Sequence, residues 1–358
     1  METIYKNHHK SEIFPSQKGL VSVIIPIYNG EKHVDELIKS ITNQTYKNIE
    51  IITVDNNSTD NSMKKLNIIN QKIPLIIFSN QKNEGYCGGC NKGIEIAKGE
   101  YFLFLSQDRL MNNDWVEKTV TKIKQDEKIG CVIGRVNRND ASSPEYGHSY
   151  DIYGAVLING NPNESKLFFG GGTILIKEKI IREIGGFDPK FFIYQEDVDI
   201  CWRIRLAGYK IKIEENAICQ NIGGGISDTF YNSEKIKIKF DDELIRMPTY
   251  KFYYSQKNRI RTLLKNYSTV NVWKRIPVAL MMILLRSIYM SIKNKNSTYF
   301  FYAIRGFFWN ITNLKNTINA RKIIQKNRIV SDQEIEKHMI KKSIELIAMK
   351  MITNNNSK

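Results

Sequence analysis

Short apolar runs rich in β-branched residues alternate with helical patterns through the first 136 residues of this 358-residue chain. The first run, Leu20–Ile27, is apolar apart from Ser22, and it is too short for a core helix but typical of a strand buried on both faces. Four comparable runs follow it: Ile49–Val54, Leu75–Phe78, Tyr101–Leu105 and Gly130–Val136. An order of strand, helix and strand predicts a parallel sheet with right-handed crossovers, and hence an α/β nucleotide-binding class of fold.

Helical spacing lies between these runs. Apolar residues from Val34 to Ile41 recur at intervals that place them on one helix face. The other predicted helices are Ser58–Ile69 with Ser58 or Thr59 as its cap, Gly89–Ala97, Trp115–Ile123 and Val198–Ala207, which Gly208 ends. Residues 137–170 are polar and loop-rich, and Thr173–Ile176 is a further predicted strand.

Ligands of open α/β sheets bind beyond the carboxyl ends of the strands, so the loops after the first four strands form the candidate site. Six consecutive polar residues, Asp55–Asp60, follow the second strand. They suit a capped turn, since Asp, Asn, Ser and Thr favour such positions. They also suit a site in which Asp55 and Asn56 hydrogen-bond the base or ribose of a nucleotide.

A glycine-rich loop, Asn83–Gly93, precedes the next predicted helix. Its glycines permit close backbone approach to a ligand, and amides that open a helix favour phosphate. The same loop contains Cys87-x-x-Cys90, which could be half of a zinc site or a redox pair. A structural zinc ion needs four ligands, however, and the other three cysteines are scattered singly, so we expect no metal there.

Two groups of carboxylates stand out further along. Asp108 follows the fourth strand, where a single carboxylate can hold Mg²⁺ beside a diphosphate. Glu196, Asp197 and Asp199 come directly after four bulky apolar residues and a glutamine. They could complement a helix dipole, and this interpretation suits Asp199. A carboxylate against an apolar wall is also what a general base needs, because desolvation raises its pKa toward neutrality.

From Leu20 to Tyr267 the chain resembles family 2 glycosyltransferases of the GT-A fold, in particular their rhamnosyltransferase-like branch. The segments that carry the resemblance are VSVIIPIYNG, QTYKNIEIITVDNNSTD, NEGYCGGCNKGIEIAKGEYFLFL and GGFDPKFFIYQEDVDICWRIRLAGYKI. The resemblance implies a GT-A (Rossmann-like) domain with a mainly parallel sheet that transfers a sugar, with inversion, from a nucleoside diphosphate (dTDP- or UDP-linked) to a glycan or polyprenyl-linked acceptor. Rhamnose and hexoses are both candidate sugars, and cell-surface polysaccharide synthesis is the implied process.

The resemblance also assigns roles to residues. Asp197 is the expected general base with Glu196 beside it, and Asp108 is the expected ligand of Mg²⁺ or Mn²⁺. The expected nucleotide-sugar contacts are Pro26, Tyr28, Asn29, Asp55, Asn56, Gly88, Gly89, Asn91 and Ser106. Gly171, Gly172 and Trp202 are the expected residues of the sugar pocket.

Two positions depart from the family pattern. Ser106 stands where the metal motif commonly has Asp or Asn, and Gln220 stands where the branch usually has His. Both are weaker partners for a cation. A catalytically inert homologue that binds a nucleotide sugar or glycan is therefore the alternative function.

The charge is distributed very unevenly along the chain. Residues 251–358 contain 21 Lys and Arg against four Asp and Glu, and 251–331 contain no acid at all, whereas the first 250 residues are nearly neutral. Such asymmetry indicates an anionic partner. The apolar runs Ile276–Leu285 and Tyr299–Ile311, flanked by cations, favour an amphipathic helical region on an anionic membrane over nucleic-acid binding. A helical subdomain packed on the catalytic body is the other interpretation.

We therefore predict three segments: an N-terminal tail (1–18), a GT-A domain (19–240) and a basic, mainly helical region (241–358). Neither apolar run reaches the roughly 20 residues of a membrane span. Residues 1–18 lack the apolar core of a signal peptide, and five cysteines suit a reducing compartment. The predicted location is the cytoplasm, peripheral on the inner face of the cell membrane.

Overall fold

The computed structural model describes residues 16–138, 144–159, 168–223, 230–231 and 247–347. The chain forms two compact units. The first comprises Met1–Pro144, Gly170–Glu196 and Tyr209–Gly224, and the second comprises Glu145–Phe169, Asp197–Gly208 and Gly225–Lys358. The boundary predicted at residue 240 lies outside the described residues. Two segments from the middle of the chain thus join the C-terminal residues, a division that the linear prediction lacks.

The strands are β1 (Gln17–Ile27), β2 (Ile49–Asp55), β3 (Ile76–Ser79), β4 (Gly99–Leu105), β5 (Arg109–Met111), β6 (Ile129–Arg138), β7 (His148–Tyr150), β8 (Val156–Asn159), β9 (Thr173–Lys177), β10 (Lys210–Asn221) and β11 (Phe230–Tyr231). The helices are α1 (Val34–Thr42), α2 (Ser62–Asn70), α3 (Gly85–Ile96), α4 (Trp115–Lys124), α5 (Glu178–Glu183), α6 (Glu196–Leu206), α7 (Thr249–Asn266), α8 (Thr269–Lys293), α9 (Thr298–Thr312), α10 (Leu314–Lys326) and α11 (Asp332–Ile335). A 3₁₀ turn, Glu336–His338, follows α11.

The first unit contains an eight-stranded sheet in the order β3-β2-β1-β4-β9-β6-β10-β5. The β3-β2-β1-β4 half is parallel throughout, as the sequence predicts. The other half is mixed, because β9 runs antiparallel to both β4 and β6, and β5 runs antiparallel to β10. The sheet is therefore mainly parallel. The two antiparallel strands, β5 and β9, have three and five residues, and no local sequence pattern encodes their direction.

Both faces of the parallel half are buried, which explains the unbroken apolar runs. Val23, Ile25 and Ile27 on β1 belong to a core that includes Leu37 of α1 and Trp115 of α4. Fully burying an aliphatic side chain of this kind contributes about 1.5–3 kcal/mol. This packing fixes the strand ends that carry the polar loops.

The second unit contains a three-stranded sheet, β11-β8-β7, and the helices α7 to α11. Its C-terminal part is helical, as predicted. Phe252 of α7 packs with Ile283 and Met290 of α8 and with Tyr299 of α9. The helices of the basic region therefore form a core of their own.

The run Ile276–Leu285 is only the centre of a longer element, α8, which is one continuous helix of 25 residues. Ser268 caps it by accepting a 3.4 Å hydrogen bond from the backbone N–H of Asn271. The interior Pro277 does not end it. Among the described residues, α8 is the one helix long and apolar enough to cross a membrane by length and composition. The sequence prediction that this region is too short to span a membrane is therefore wrong, because the helix extends well beyond the ten-residue run.

Candidate functional site

In the first unit, the loops that follow β1 and β2 are tied together at the carboxyl edge of the sheet. The backbone N–H of Asn29 donates to Ser58 Oγ (3.0 Å), and the N–H of Thr59 donates to Asn29 Oδ1 (2.8 Å). Asn29 has a φ of 49°, in the left-handed region that Asn tolerates better than most residues. Ser58 thus joins two loops and does not cap a helix, since α2 begins at Ser62. The polar residues after β2 therefore form a hydrogen-bonded connection to the loop after β1.

Asp55 and Asn56 lie at this edge and are both buried. The carboxylate of Asp55 accepts the N–H of Ser58 at 3.2 and 3.3 Å. Asn56 donates from Nδ2 to the carbonyl of Gly85 (3.1 Å) and accepts from Asn80 Nδ2 (2.9 Å). Asn56 therefore links β2 to the loop after β3 and to the start of α3, with both ends of its amide engaged.

The glycines of α3 have a packing role. A Cβ on Gly89 would lie 2.8 Å from Cβ of Pro26, and a Cβ on Gly88 would overlap Glu84. Further along, a Cβ on Gly93 would overlap Ile24. Gly89 and Gly93 let α3 lie directly against β1, and Gly88 leaves room for the side chain of Glu84. Close approach of backbone to sheet, and not only of backbone to ligand, accounts for this glycine-rich stretch.

Asn91 of α3 holds a second turn. Its Nδ2 donates to the carbonyl of Phe187 (2.8 Å), and its Oδ1 accepts the N–H of the same residue (2.8 Å). Gly186 has a φ of +71°, and a Cβ there would lie 2.7 Å from Asn91 Oδ1. The side-chain amide of Asn91 is thus paired with the Gly185–Asp188 turn, so any contact with a nucleotide sugar would be made by other atoms.

Asp108, the predicted metal ligand, lies half-buried after β4. Its carboxylate sits against Gly223, where a Cβ would overlap it, and its carbonyl accepts the N–H of Ile222 (3.0 Å). Gln220 lies on β10, just before these two partners, in register with Leu110. The glycine at 223 therefore leaves the space that the carboxylate occupies.

Ser106 and Gly172 lie at this carboxyl edge together with Arg109, which we did not predict. The N–H of Ser106 donates to the carbonyl of Gly172 (2.8 Å), and a Cβ on Gly172 would lie 3.1 Å from both Ser106 Oγ and Arg109 Nε. Within the described residues, Arg109 Nη1 is buried and has no hydrogen-bond partner. A buried guanidinium nitrogen with an unused donor suits a phosphate or sugar oxygen.

Gln107 also lies at this edge, and no motif in the sequence indicates its role. Its Oε1 accepts the N–H of Tyr28 (2.9 Å), and its Nε2 donates to the carbonyl of Tyr28 (3.2 Å). This pair joins the loop after β1 to the loop after β4 and leaves Tyr28 nearly half exposed. An exposed aromatic ring at the edge is available to stack on a base.

A strained segment precedes α6. Phe192, Tyr194 and Gln195 have φ values of 68°, 69° and 67°. Positive φ in residues other than glycine costs of order 1–3 kcal/mol each, and such residues cluster at functional sites. The carbonyl of Phe192 accepts the N–H of Cys87 (3.2 Å), at a place where a Cβ on Gly85 would overlap it. The start of α3 therefore holds this segment in place.

Glu196, the first residue of α6, lies near two buried groups of α3. Burial raises the pKa of Tyr86 well above its ordinary value, and Cys90 and then Glu196 add to the rise. Burial likewise raises the pKa of Cys90 well above its usual range, with a contribution from Glu196. Both groups are therefore neutral near pH 7. Cys87 is buried as well, so the Cys-x-x-Cys pair faces the interior.

Asp197, the predicted base, begins the part of α6 that belongs to the second unit. Burial raises the pKa of Asp197 to about 7, the Glu145 carboxylate adds to the rise, and hydrogen bonding from the backbone opposes it. One such bond comes from the N–H of Val198 to Asp197 Oδ1 (2.8 Å). This carboxyl group can exchange a proton near neutrality.

Asp199 has a structural environment, as predicted, but through ion pairs and not through the helix dipole. It is fully buried and accepts hydrogen bonds from Arg203 Nε (3.0 Å), Lys265 Nζ (3.1 Å) and Asn266 Nδ2 (3.0 Å). These contacts fasten α6 to the end of α7. They hold the helix on which Asp197 lies.

Trp202 is fully buried in the second unit. Its ring makes edge contacts with Tyr150, Phe168 and Tyr267, at centroid distances of 5.9, 5.5 and 4.7 Å. We therefore assign it a packing role in place of the sugar contact predicted from the sequence. On a helix that is buried on all sides, the sequence alone does not distinguish an aromatic residue of the core from one that contacts a ligand.

Comparisons with known proteins agree with this geometry. Residues 22–185 match glycosyl transferase family 2. An uncharacterized glycosyltransferase from Haemophilus influenzae is 29% identical over 226 residues, 60% of this chain and 69% of the relative. Poly-beta-1,6-N-acetyl-D-glucosamine synthase from Staphylococcus aureus is 26% identical over 223 residues, 61% of this chain and 53% of the relative.

Among solved structures, GalNAc-T7 with UDP, GalNAc and Mn²⁺ is similar in fold. The TM-score is 0.53 with 17% identity, and the match covers 83% of this chain and 58% of that one. The sheet, the polar loops at its carboxyl edge and these matches lead to one conclusion: residues 22–185 are similar to glycosyl transferase family 2, and the chain has a GT-A fold.

Proposed function

We propose that this protein transfers a sugar from a nucleoside diphosphate, with inversion, to a hydroxyl group of a glycan or lipid-linked acceptor, and that Asp197 is the general base. The observation that carries the proposal is the carboxyl group of Asp197, whose pKa of about 7 lies well above the ordinary value of 3.8 for an aspartate. A base works best when its pKa is close to the working pH, because it is then both available and strong enough to take the proton.

The nucleotide binds along the carboxyl edge of the first unit. Asp55 and Tyr28 contact the base or ribose, since one presents a buried carboxylate and the other an exposed ring beside joined loops. Arg109 takes a diphosphate oxygen with its unused Nη1. Asn56 and Asn91 support this edge through the hydrogen bonds described above.

Asp108 and Ser106 are the residues that would hold Mg²⁺ or Mn²⁺. A carboxylate and a hydroxyl group two residues apart in the loop after β4 suit such an ion, which would take its remaining ligands from phosphate and water. When bound, the ion neutralises charge on the departing diphosphate. GalNAc-T7 was crystallised with UDP and Mn²⁺, which is consistent with this choice.

In the acceptor half of the reaction, Asp197 accepts the proton of the attacking hydroxyl group. Deprotonation makes the oxygen a stronger nucleophile for the anomeric carbon, on the side opposite the diphosphate. Glu196 neighbours it in the chain, where its charge helps to keep Tyr86 protonated as a hydrogen-bond donor.

The donor is a UDP- or dTDP-linked sugar. L-rhamnose is the candidate from the branch that the sequence resembles, and N-acetylglucosamine is the candidate from the Staphylococcus aureus synthase. We place the reaction at the cytoplasmic face of an anionic membrane, in the synthesis of a cell-surface polysaccharide. The excess of Lys and Arg after residue 250 supports this location.

A donor panel tests the proposal. Purified protein with Mn²⁺ should slowly release UDP or dTDP from one donor, and Asp197→Asn should reduce that release about 100-fold or more. Asp35→Asn, which changes an exposed carboxylate paired with Lys65, is the matched control and should retain full release. Full release by Asp197→Asn would contradict the role of the base. Nucleotide binding without release from any donor would favour the inert homologue.

A further inference from the structure

One side of α8 is exposed along nearly its whole length and is almost entirely apolar. Apart from its exposed end residues, Thr269 and Lys293, the exposed residues of α8 are Val270, Trp273, Lys274, Pro277, Met281, Leu284, Leu285, Ile288 and Ile292. We call this set without Lys274 the α8 stripe. Trp273 and Ile292 are 77% and 73% exposed. Monomeric soluble proteins rarely expose contiguous apolar surface on this scale.

The α8 stripe is straight. Its residues 270, 273, 277, 281, 284, 288 and 292 are separated by three, four and four residues in turn, an eleven-residue repeat. That period is about 3.67 residues per turn, close to the 3.6 of a straight helix, so the apolar side does not wind around the axis. At about 1.5 Å per residue the stripe is about 33 Å long. A long, straight, apolar side suits a flat partner.

The opposite side of α8 is packed. Met282, Ile283, Ser287 and Met290 are buried, and two of them belong to the core shared with α7 and α9. The neighbouring α7 contains buried charged groups, including Arg259, which donates to both carboxylate oxygens of Glu345 at 2.9 and 3.0 Å. A neighbour with buried charged groups is costly to bring into a bilayer, so these contacts favour an orientation of α8 along a surface over one that spans.

The positive charge around the α8 stripe favours an anionic partner. Residues 251–331 contain no Asp or Glu. The exposed cations of α8, α9, α10 and the turns between them are Lys274, Lys293, Lys295, Arg305, Lys315, Lys322 and Lys326. A second copy of this chain would bring the same cations against them, whereas anionic lipid headgroups complement them. Aromatic residues beside cations are typical of helices that lie in a membrane interface.

We propose that the α8 stripe is the surface that docks this protein on an anionic bilayer, with α8 parallel to the membrane plane and its apolar side chains at the level of the acyl boundary. This inference deepens the membrane location given under the proposed function, because it names the residues and the orientation. It places the basic side chains of the flanking turns among the headgroups.

Vesicle flotation tests the stripe directly. The full-length protein should float with phosphatidylcholine vesicles that contain phosphatidylglycerol and much less with phosphatidylcholine alone. The double variant Met281→Glu with Leu285→Glu should reduce the bound fraction at least tenfold. Ile68→Glu is the matched control, because Ile68 is similarly exposed on α2 of the first unit, and it should float as the unchanged protein does. Equal flotation of the double variant would overturn the proposal.

A second measurement does not depend on charge substitutions. Trp115 and Trp202 are buried and Trp309 is half-buried, whereas Trp273 is 77% exposed, so brominated lipid should quench Trp273 most strongly and the variant Trp273→Phe should lose most of the quenching. Alkaline carbonate should release the bound protein. Retention after carbonate would indicate a spanning helix, and a dimer that the double variant abolishes would indicate a second copy. Either result would refute the bilayer-surface proposal.

Failure of this inference is distinguishable from failure of the proposed function. Nucleoside diphosphate release is measured without lipid, and the double variant should retain it in full. Flotation, in turn, needs no donor. Absence of release with normal flotation would remove the catalytic proposal and leave the docking surface intact.

Discussion

Replacing Asp197 with Asn should make the protein more stable while it removes activity. The folded protein holds the proton of Asp197 up to about pH 7, whereas the unfolded chain releases it near the ordinary pKa of 3.8. Folding must therefore keep a proton that the unfolded chain has lost, and this cost grows as the pH rises from about 4 to 7. About three pKa units at about 1.36 kcal/mol each set its upper limit at about 4 kcal/mol.

Asn carries no charge, so it avoids this cost, and its Oδ1 can still accept the 2.8 Å hydrogen bond from the N–H of Val198. The free energy of unfolding, measured with urea at about pH 4 and about pH 8, should be similar for the two proteins at the lower pH. At the higher pH it should favour Asp197→Asn by up to about 4 kcal/mol. Asp35→Asn should show no comparable gain. A difference that does not change with pH would refute the reasoning, since burial would then not have raised this pKa.

Four further changes test other parts of the structure. Asp199→Ala should lower the free energy of unfolding by about 3–5 kcal/mol, because it removes the buried carboxylate with which Arg203 and Lys265 form ion pairs, and urea unfolding measures this. Gly89→Ala should cost about 1–3 kcal/mol by the same measurement, because its Cβ would meet Pro26 at 2.8 Å. Arg109→Gln should weaken UDP binding in calorimetry about tenfold, as expected for loss of one charge-assisted hydrogen bond. In the same assay, Asp108→Asn should abolish the gain in UDP affinity that Mn²⁺ provides.

Each of these has a contradicting outcome. A loss below about 1 kcal/mol for Asp199→Ala would mean that water reaches the cations around it. Unchanged stability of Gly89→Ala would mean that α3 can move away from β1. Unchanged UDP affinity in Arg109→Gln would mean that Nη1 of Arg109 does not bind the diphosphate. An equal response to Mn²⁺ in Asp108→Asn would place the ion elsewhere.

Much of the first unit could be predicted because its signals are local. Leu20–Ile27 is recognisable as a buried strand from its own residues, and β1 covers it with three more residues at its start. Asp55 follows such a run, and it lies at the sheet edge in register with Ile27. The family resemblance placed the same residues together, and residues 22–185 match the model of that family.

Other roles were not accessible from local pattern. Asn91 and Asn56 have the amides expected of ligand contacts, yet both ends of each amide pair within the protein. Gln107 and Arg109 belong to the edge but follow no recognisable spacing. The partner of an amide or guanidinium is a residue far away in the chain, and no window of sequence contains both.

Period and composition were sufficient to predict the parallel strands, the polar loops at their ends and the cationic C-terminal region, because each is written in neighbouring residues. Folding alone decided the antiparallel direction of β9, the grouping of Glu145–Phe169 and Asp197–Gly208 with the C-terminal helices, and which side of α8 remains exposed. Those outcomes depend on which distant surfaces exclude water together, and that is a property of the packed chain.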